Sequence, residues 1–301
     1  KGYKFLTSSD TEVLLAAYCE WGKNCVSHFN GMFAFAIYDA QDQVLFLARD
    51  RAGEKPLFYH HLNGVLHFSS ELKALFSAPT LKRKINLESL DCYLAMGYIP
   101  GDRCIIKGFN KLPPAHAMQF DLKSGKTKIW RYWNLPNLHD TSLQGVENEV
   151  DLLDELETLL ENSVGRQLVA DVPVGILLSG GVDSSLITAM AARKSSRIQT
   201  FSIGFPGHGK MDETGHARLI AEYFGTQHTE LMAEPASVSL LPMLAKQFDE
   251  PMVDSSMIPT FLVSQLVRKH CKVALGGDGG DELFGGYGHY SRLSLIHISE
   301  P

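Results

Sequence analysis

The order of apolar and polar positions predicts two successive kinds of architecture. Residues 7–21 begin with capping residues, Ser9 or Asp10, place Glu12 in the first turn and continue as an amphipathic helix. Two apolar runs, 31–38 and 44–49, read as strands around a 39–43 turn. A second hairpin is predicted from 57–59 and 65–68 across residues 60–64. Residues 69–75 start a short helix, and 86–98 form a longer one ended by the Gly97–Gly101 stretch. Residues 111–120 are a turn leading into a strand, and 121–127 a polar hairpin loop. Two hairpins flanked by helices predict a layered α+β unit.

Beyond residue 130 the rhythm changes. Trp130, Tyr132 and Trp133 with the polar stretch 134–145 read as a domain boundary, the aromatic group serving inter-domain packing rather than ligand stacking. Apolar positions Val150, Leu153, Leu156, Leu159, Leu160 and Val164 then recur at helical spacing within 147–168. Strands are predicted at 174–178, 199–204, 227–232 and 272–275, with helices at 186–193, 211–224 and 261–270 between them. Strands alternating with helices make a parallel α/β sheet, with ligands at the carboxyl ends of the strands. The expected division is 1–130, a linker at 131–148, a second domain at 149–290 and a tail at 291–301.

Composition adds limits rather than detail. A chain of 301 residues, 45% hydrophobic and 21% charged, is long enough for two ordinary globular domains. A net charge of −6 argues against a nucleic-acid surface. No apolar run approaches the roughly eighteen residues of a membrane helix, and no stretch reads as a signal peptide. Cys19, Cys25, Cys92, Cys104 and Cys271 are scattered without CxxC spacing, which predicts reduced thiols in a cytoplasmic protein rather than a zinc site.

The candidate chemistry sits where strand 174–178 meets Ser179, Gly180, Gly181, Val182, Asp183, Ser184 and Ser185. Strand, glycine-rich turn and helix start in succession make an anion site, because free backbone N–H groups and the helix dipole point into the turn. Three serine hydroxyls add donors. The GxxxxGK[ST] pattern of the P-loop is absent. Asp183 would repel phosphate unless a divalent cation lay between them, and a helix end supplies only about 0.3–1 kcal/mol. Asp183 therefore reads as a Mg²⁺ ligand, against the plainer alternative that Asp183 and Ser184 cap a helix. A second glycine-rich run, from Gly276 and Gly277 through Asp278 and Asp281 to Tyr287, follows a hydrophobic strand. A backbone nest with carboxylates is what Mg-nucleotide binding needs.

The SGGVDSS run resembles the pyrophosphate loop of ATP pyrophosphatases, and the surrounding chain, from about Phe5 to Tyr287, resembles glutamine-dependent asparagine synthetases and their amidotransferase relatives. SDTEVLLAAY, FNGMFAFAIYD, LARDRAGEKPLFY and FSSELKAL are similar to the C-terminal part of an N-terminal-nucleophile glutaminase domain. The resemblance implies that Asp10 grips the α-amino group of glutamine, although Asp10 also suits a helix cap. It implies that Leu177 and Ile203 contact adenine, that Asp281 joins Asp183 on Mg²⁺, and that Asp278 serves formation of an acyl-adenylate. Gly276 departs from the family, many of whose members carry Ser there. The lost hydroxyl is worth about 0.5–1.5 kcal/mol unless a backbone group replaces its hydrogen bond.

The expected fold class is thus an α+β glutaminase remnant followed by an α/β ATP pyrophosphatase domain. The expected activity is ATP-dependent, glutamine-hydrolysing amidation of a carboxylate, aspartate in the namesake family, releasing AMP and pyrophosphate. Small-molecule substrates, no nucleic acid, no membrane and a homodimer complete the expectation. Polysaccharide amidation, β-lactam formation and a silent nucleotide-binding module are the alternatives. The family's N-terminal Cys nucleophile, Asn-Gly oxyanion pair and Arg clamp are not in the sequence, nor is a lysine expected after Tyr290. The expectation for these 301 residues is nucleotide binding without turnover. Two groups stay open: Arg49, Asp50 and Arg51 read as a structural ion-pair network rather than catalytic residues, and Asp249, Glu250, Ser255 and Ser256 either cap a helix or lie over the acceptor.

Overall fold

Helix α1, Asp10–Trp21, begins at Ser9, whose hydroxyl accepts the Thr11 amide at 3.2 Å; of the two candidate caps, Ser9 holds the position. Glu12 reaches back to accept the Leu6 and Thr7 amides. Strands β1, Ala34–Asp39, and β2, Val44–Arg49, follow as an antiparallel hairpin. Strands β3, Phe58–Leu62, and β4, Val65–Ser69, close on a two-residue Asn63-Gly64 turn with both φ angles positive, 50° and 74°. That is the tight turn whose twist matches the strands. The turn is shorter than the 60–64 loop expected from the sequence, because an Asn-Gly pair needs no longer one.

Helices α2, Leu72–Leu75, and α3, Leu87–Met96, precede β5, Phe109–Lys111, β6, His116–Asp121, and β7, Lys126–Arg131. The strands form two antiparallel sheets, ordered β1-β2-β6-β7 and β4-β3-β5. The structure describes residues 2–136, 148–204, 213–233 and 238–290 and is a computed structural model. It groups the chain into two units: 1–140 with 241–254, and 141–240 with 255–301.

Alternation along β2 and β6 explains how the first unit is layered. Phe46, Ala48 and Ala117 pack with Ala17 of α1, whereas Leu47 and Met118 face the other way and pack with Leu57 and Leu112. Phe58 and Phe109 in the second sheet then cover Leu72 and Leu75 of α2. The layers run helix, sheet, sheet, helix. β7 corrects the reading of residues 130–133 as a boundary. Trp130 lies in this strand, its ring 6.0 Å from that of Phe46, and Tyr132 donates its hydroxyl hydrogen to the Arg49 carbonyl at 2.7 Å. These aromatics belong to the core of their own unit.

Asp50, 1% exposed, is the rivet of this unit. Its carboxylate accepts the amides of Phe33, Glu54 and Lys55, while the Arg49 guanidinium donates to the carbonyls of Gly53, Lys55 and Leu112. For Arg49 and Asp50 the structural reading holds in kind, with backbone groups rather than opposite charges as partners; Arg51 Nε has no partner. Two acids remote in sequence do similar work. Asp249 accepts the Leu72 and Lys73 amides at 2.8 and 3.1 Å, capping α2, which has no cap of its own. Glu250 accepts the Ile105 amide at 2.7 Å and pairs with Lys111 at 2.8 Å. Asp249 and Glu250 thus cap and brace the first unit.

In the second unit, α4, Glu149–Gln167, is capped by Asn148. Strand β8, Val174–Leu177, leads into α5, Val182–Lys194; β9, Gln199–Gly204, into α6, Thr214–Phe224, and β10, Gln227–Met232. The unpredicted helix α7, Leu241–Gln247, lies in the segment grouped with the first unit. Then come α8, Met257–Val267, with Ser256 at its N-cap and no side-chain capping bond, β11, Val273–Leu275, and α9, Gly280–Phe284. The four strands form one parallel sheet, ordered β10-β9-β8-β11. Val164, Ile176 and Met190 fill one face, while Phe201, Val267 and Cys271 fill the other. Predicted positions 137–147 of the linker, the helix start at 211–212 and the tail at 291–301 lie outside the described residues.

Replacing Asp50 by Ala leaves three backbone amides without their acceptor. The expected loss is roughly 3 kcal/mol in chemical denaturation, because stranded buried donors cost about 1–3 kcal/mol each and some regain water. A loss under about 0.5 kcal/mol, the range of an ordinary surface substitution, contradicts the rivet.

Candidate functional site

The order in which strands are added reverses between β8 and β11. From β8 the chain builds outward through β9 to β10, then returns to add β11 on the opposite side. Such a switch point opens a crevice beyond the carboxyl ends of two neighbouring strands. Both glycine-rich runs leave from there, Ser179–Ser185 after β8 and Gly276–Gly280 after β11. The cavity between them is about 500 Å³.

The first run forms a turn braced by its own serines. The Ser184 hydroxyl donates to the Gly181 carbonyl at 3.3 Å and accepts the Ser179 amide at 3.3 Å and the Ser179 hydroxyl at 2.9 Å. Ser179 Oγ in turn accepts the Gly181 amide at 3.2 Å. Two of the three hydroxyls expected as free donors therefore hold the loop in shape. Helix α5 starts at Val182, four residues earlier than predicted, so Asp183, Ser184 and Ser185 all lie in its first turn. Gly181 is the N-cap and supplies no side-chain bond to the first amides. An uncapped helix start lined by Gly181, Val182, Asp183 and Ser184 faces the cavity.

Gly180 has φ +88°, and a Cβ there would lie 2.6 Å from His216 Cβ and 2.7 Å from the Ala217 amide nitrogen. It sits in a left-handed conformation against the backbone of α6, where only glycine fits. Neither Gly180 nor Ser185 lines the cavity, and the Ser185 hydroxyl is buried without a hydrogen-bond partner.

The second run packs onto the first. A Cβ at Gly280 would stand 2.7 Å from Asp183 Cγ and within 2.8 and 3.0 Å of its two carboxylate oxygens. At Gly277 it would meet Asp183 Cβ at 2.8 Å. Absent side chains let backbone close over the Asp183 carboxylate. Asp278 folds back so that a Cβ at Gly276 would lie 2.6 Å from its Oδ2. A serine at 276 therefore requires this carboxylate to turn away, a consequence the sequence comparison with the family did not suggest.

Leu177, Ile203, Gly276, Gly277, Asp278 and Asp281 line the same cavity as Ser179 and Asp183. The sequence reading missed Thr214, Val263, Glu282 and Tyr287 on its walls. The last two were legible in principle, since both belong to the second run. Tyr287 donates to Glu282 at 2.8 Å. That hydrogen bond lowers the Glu282 carboxyl below its usual range and pushes the Tyr287 phenol up to about 12.

Asp10 stands apart, at the first residue of α1, lining another cavity of about 720 Å³ with Phe29, Asn30, Gly31, Lys55 and Ser70. Among the described residues, no group of three or more His, Cys, Asp or Glu gathers as a metal cage. No helix there is long and apolar enough to cross a membrane.

The parallel sheet with its switch-point crevice makes the second unit an ATP-pyrophosphatase-like domain, and comparison with known proteins agrees: residues 155–300 match the asparagine synthase family. Residues 1–133 match the glutamine amidotransferase domain family. Over nearly all of its length the chain is similar to glutamine-hydrolysing asparagine synthetases. It is 36% identical over 299 residues to asparagine synthetase 1 of Bacillus subtilis, covering 98% of this chain and 46% of that protein. It is also 36% identical over 313 residues to asparagine synthetase 3 of the same organism, covering 95% and 48%. Identity to asparagine synthetase 2 of Oryza sativa subsp. japonica is 32% over 308 residues, covering 97% and 46%. The chain spans about half the length of the curated relatives it matches. Likeness to solved structures is slight, with a TM-score of 0.31 and 16% identity to an NH3-dependent NAD synthetase from Campylobacter jejuni, over 45% of this chain and 60% of that one.

Gly180→Ala is expected to lower stability by about 2–3 kcal/mol, since the added methyl must displace α6 backbone as well as adopt a positive φ. Thermal unfolding of the purified variant tests this, and an unchanged midpoint contradicts the close approach.

Proposed function

We propose that the second unit binds Mg-ATP and that the protein of which this chain is part amidates a carboxylate through an acyl-adenylate. The single observation behind this is the closure of Gly277 and Gly280 over Asp183 at a switch-point crevice that also holds Asp278 and Asp281. Mg²⁺ prefers one or two carboxylates plus substrate phosphates over an all-protein cage. A pair of acids beside an uncapped helix start suits it better than a cluster of three would.

In this reading the α5 amides and the Ser179–Ser185 loop take the leaving pyrophosphate, and Leu177 and Ile203 bound the adenine. Asp183 and Asp281 are the cation's protein ligands. When bound, Mg²⁺ offsets charge on the leaving group. Asp278, turned toward Gly276, orients the acceptor carboxylate for attack on the α phosphorus. Ser185, with its buried unpartnered hydroxyl, supports the loop from behind. The names of the relatives favour aspartate as acceptor and asparagine as product.

In the first unit, the helix-sheet-sheet-helix layering and the cavity at Asp10 support a glutaminase, with Asp10 binding the α-amino group of glutamine. A first domain that runs through β7 and a second over 149–290 go with this assignment, as do a cytoplasmic location and a homodimer. Glutamine, ATP and the acceptor are the expected small-molecule partners.

Calorimetric titration with ATP, with and without Mg²⁺, tests the site directly. Binding is expected to need Mg²⁺ and to weaken at least about tenfold in Asp183→Asn, the loss of one charge-assisted contact. Gly280→Ala should weaken it comparably by forcing the Asp183 carboxylate aside, with little change in far-UV circular dichroism. ATP binding that ignores both Mg²⁺ and the Asp183 substitution contradicts the proposal.

A further inference from the structure

The first unit carries a second polar cavity, of about 460 Å³, that the proposed reaction does not use. Arg51, Ala115, Arg131, Trp133 and Asn134 are on its walls, and among the described residues no carboxylate is. The Arg51 Nε is buried and has no hydrogen-bond partner. Its guanidinium carbon stands 5.7 Å from the centre of the Trp133 ring. A cation over an indole face is partly stabilised, but the in-plane N–H groups of the guanidinium gain nothing from that contact. Arg131 spends one nitrogen on Asn134 Oδ1 at 2.9 Å.

The walls are held by bonds that do not depend on the cavity. Arg51 follows Asp50, whose carboxylate takes three backbone amides. Ala115 is held at φ +59°, its amide donating to the Asp50 carbonyl at 2.8 Å and its carbonyl accepting the Tyr132 amide at 2.9 Å. Left-handed backbone at a residue with a Cβ is unfavourable and persists only where the surroundings impose it, a feature that gathers at ligand clamps.

We propose that this cavity binds the carboxylate or phosphate group of a small molecule between Arg51 and Arg131. Two guanidinium forks without a neutralising acid among the described wall residues match a planar or tetrahedral oxyanion, held through their terminal N–H groups. The volume leaves room for an oxyanion carried on a larger molecule. This site is independent of the nucleotide crevice and of the reaction proposed there.

Arginine Nε–H cross-peaks in a proton–nitrogen correlation spectrum of the 301-residue chain provide the test, the Arg51 peak being assigned by its loss in Arg51→Lys. Inorganic phosphate and succinate are titrated separately, which distinguishes the two oxyanion sources. A saturable shift of the Arg51 peak with one of them is expected, weakened by added salt and at least about tenfold by Arg131→Met. It should persist in Asp183→Asn. Arg131→Lys, which keeps the charge but loses the fork, should fall between wild type and Arg131→Met. No saturable shift with either probe up to roughly 10 mM, the range of weak but specific contacts, overturns the proposal. So does a shift of equal strength in Arg131→Met with a spectrum otherwise unchanged.

Discussion

Parallel pairing of Val174–Ile176 with Val273–Leu275 brings together two loops about a hundred residues apart in the chain. Three residue pairs suffice because the remaining alignment is imposed by packing on both faces of the sheet, through Ile176 and Met190 on one side and Phe201 and Val267 on the other. The glycines of the second loop then do what side chains could not. They bring backbone against the Asp183 carboxylate and fix where its oxygens point. Backbone packed this closely holds the carboxylate in place, and preorganised groups lower the ordering cost of binding.

The first unit solves a different problem with the same means. Its loops carry backbone amides with no partner within a strand or helix, and buried or largely buried carboxylates collect them. Asp50 gathers three, Asp249 two and Glu250 one, with Lys111 balancing the last charge. Each acid had a plausible chemical use in the sequence, as an ion-pair partner or a residue over an acceptor. A carboxylate surrounded by amides satisfies the burial requirement without such a use, because several backbone hydrogen bonds offset the loss of water around the charge. Segment 241–254 shows how far this extends, since its acids complete turns formed by residues 72–73 and 105.

Local rules carried the sequence reading a long way. Apolar runs found β1 and β2, helical spacing found α4, and the polar residues before α1 found its start; each signal depends on neighbours within one or two turns. The glycine-serine run announced an anion loop because strand, turn and helix start are consecutive in the chain. Short elements escaped. β5 has three residues and too little pattern to register, and β7 mixes lysines with Ile129 and Trp130 so that its alternation is weak. The Asn63-Gly64 turn was visible as a dipeptide, yet its strands were drawn too short.

By itself, then, the sequence determined two architectures in order, a parallel sheet in the second, and which residue types could meet a nucleotide. Tertiary structure alone decided that β11 joins β8 rather than β10, that Ser184 braces the loop, and that Ser185 and Gly180 stand behind the crevice wall. It also assigned Asp249 and Glu250 to the first unit. The physical reason is common to all of these. Propensity and periodicity depend on residues a few positions away, whereas the partner of a buried amide or carboxylate is set by which distant segments pack together.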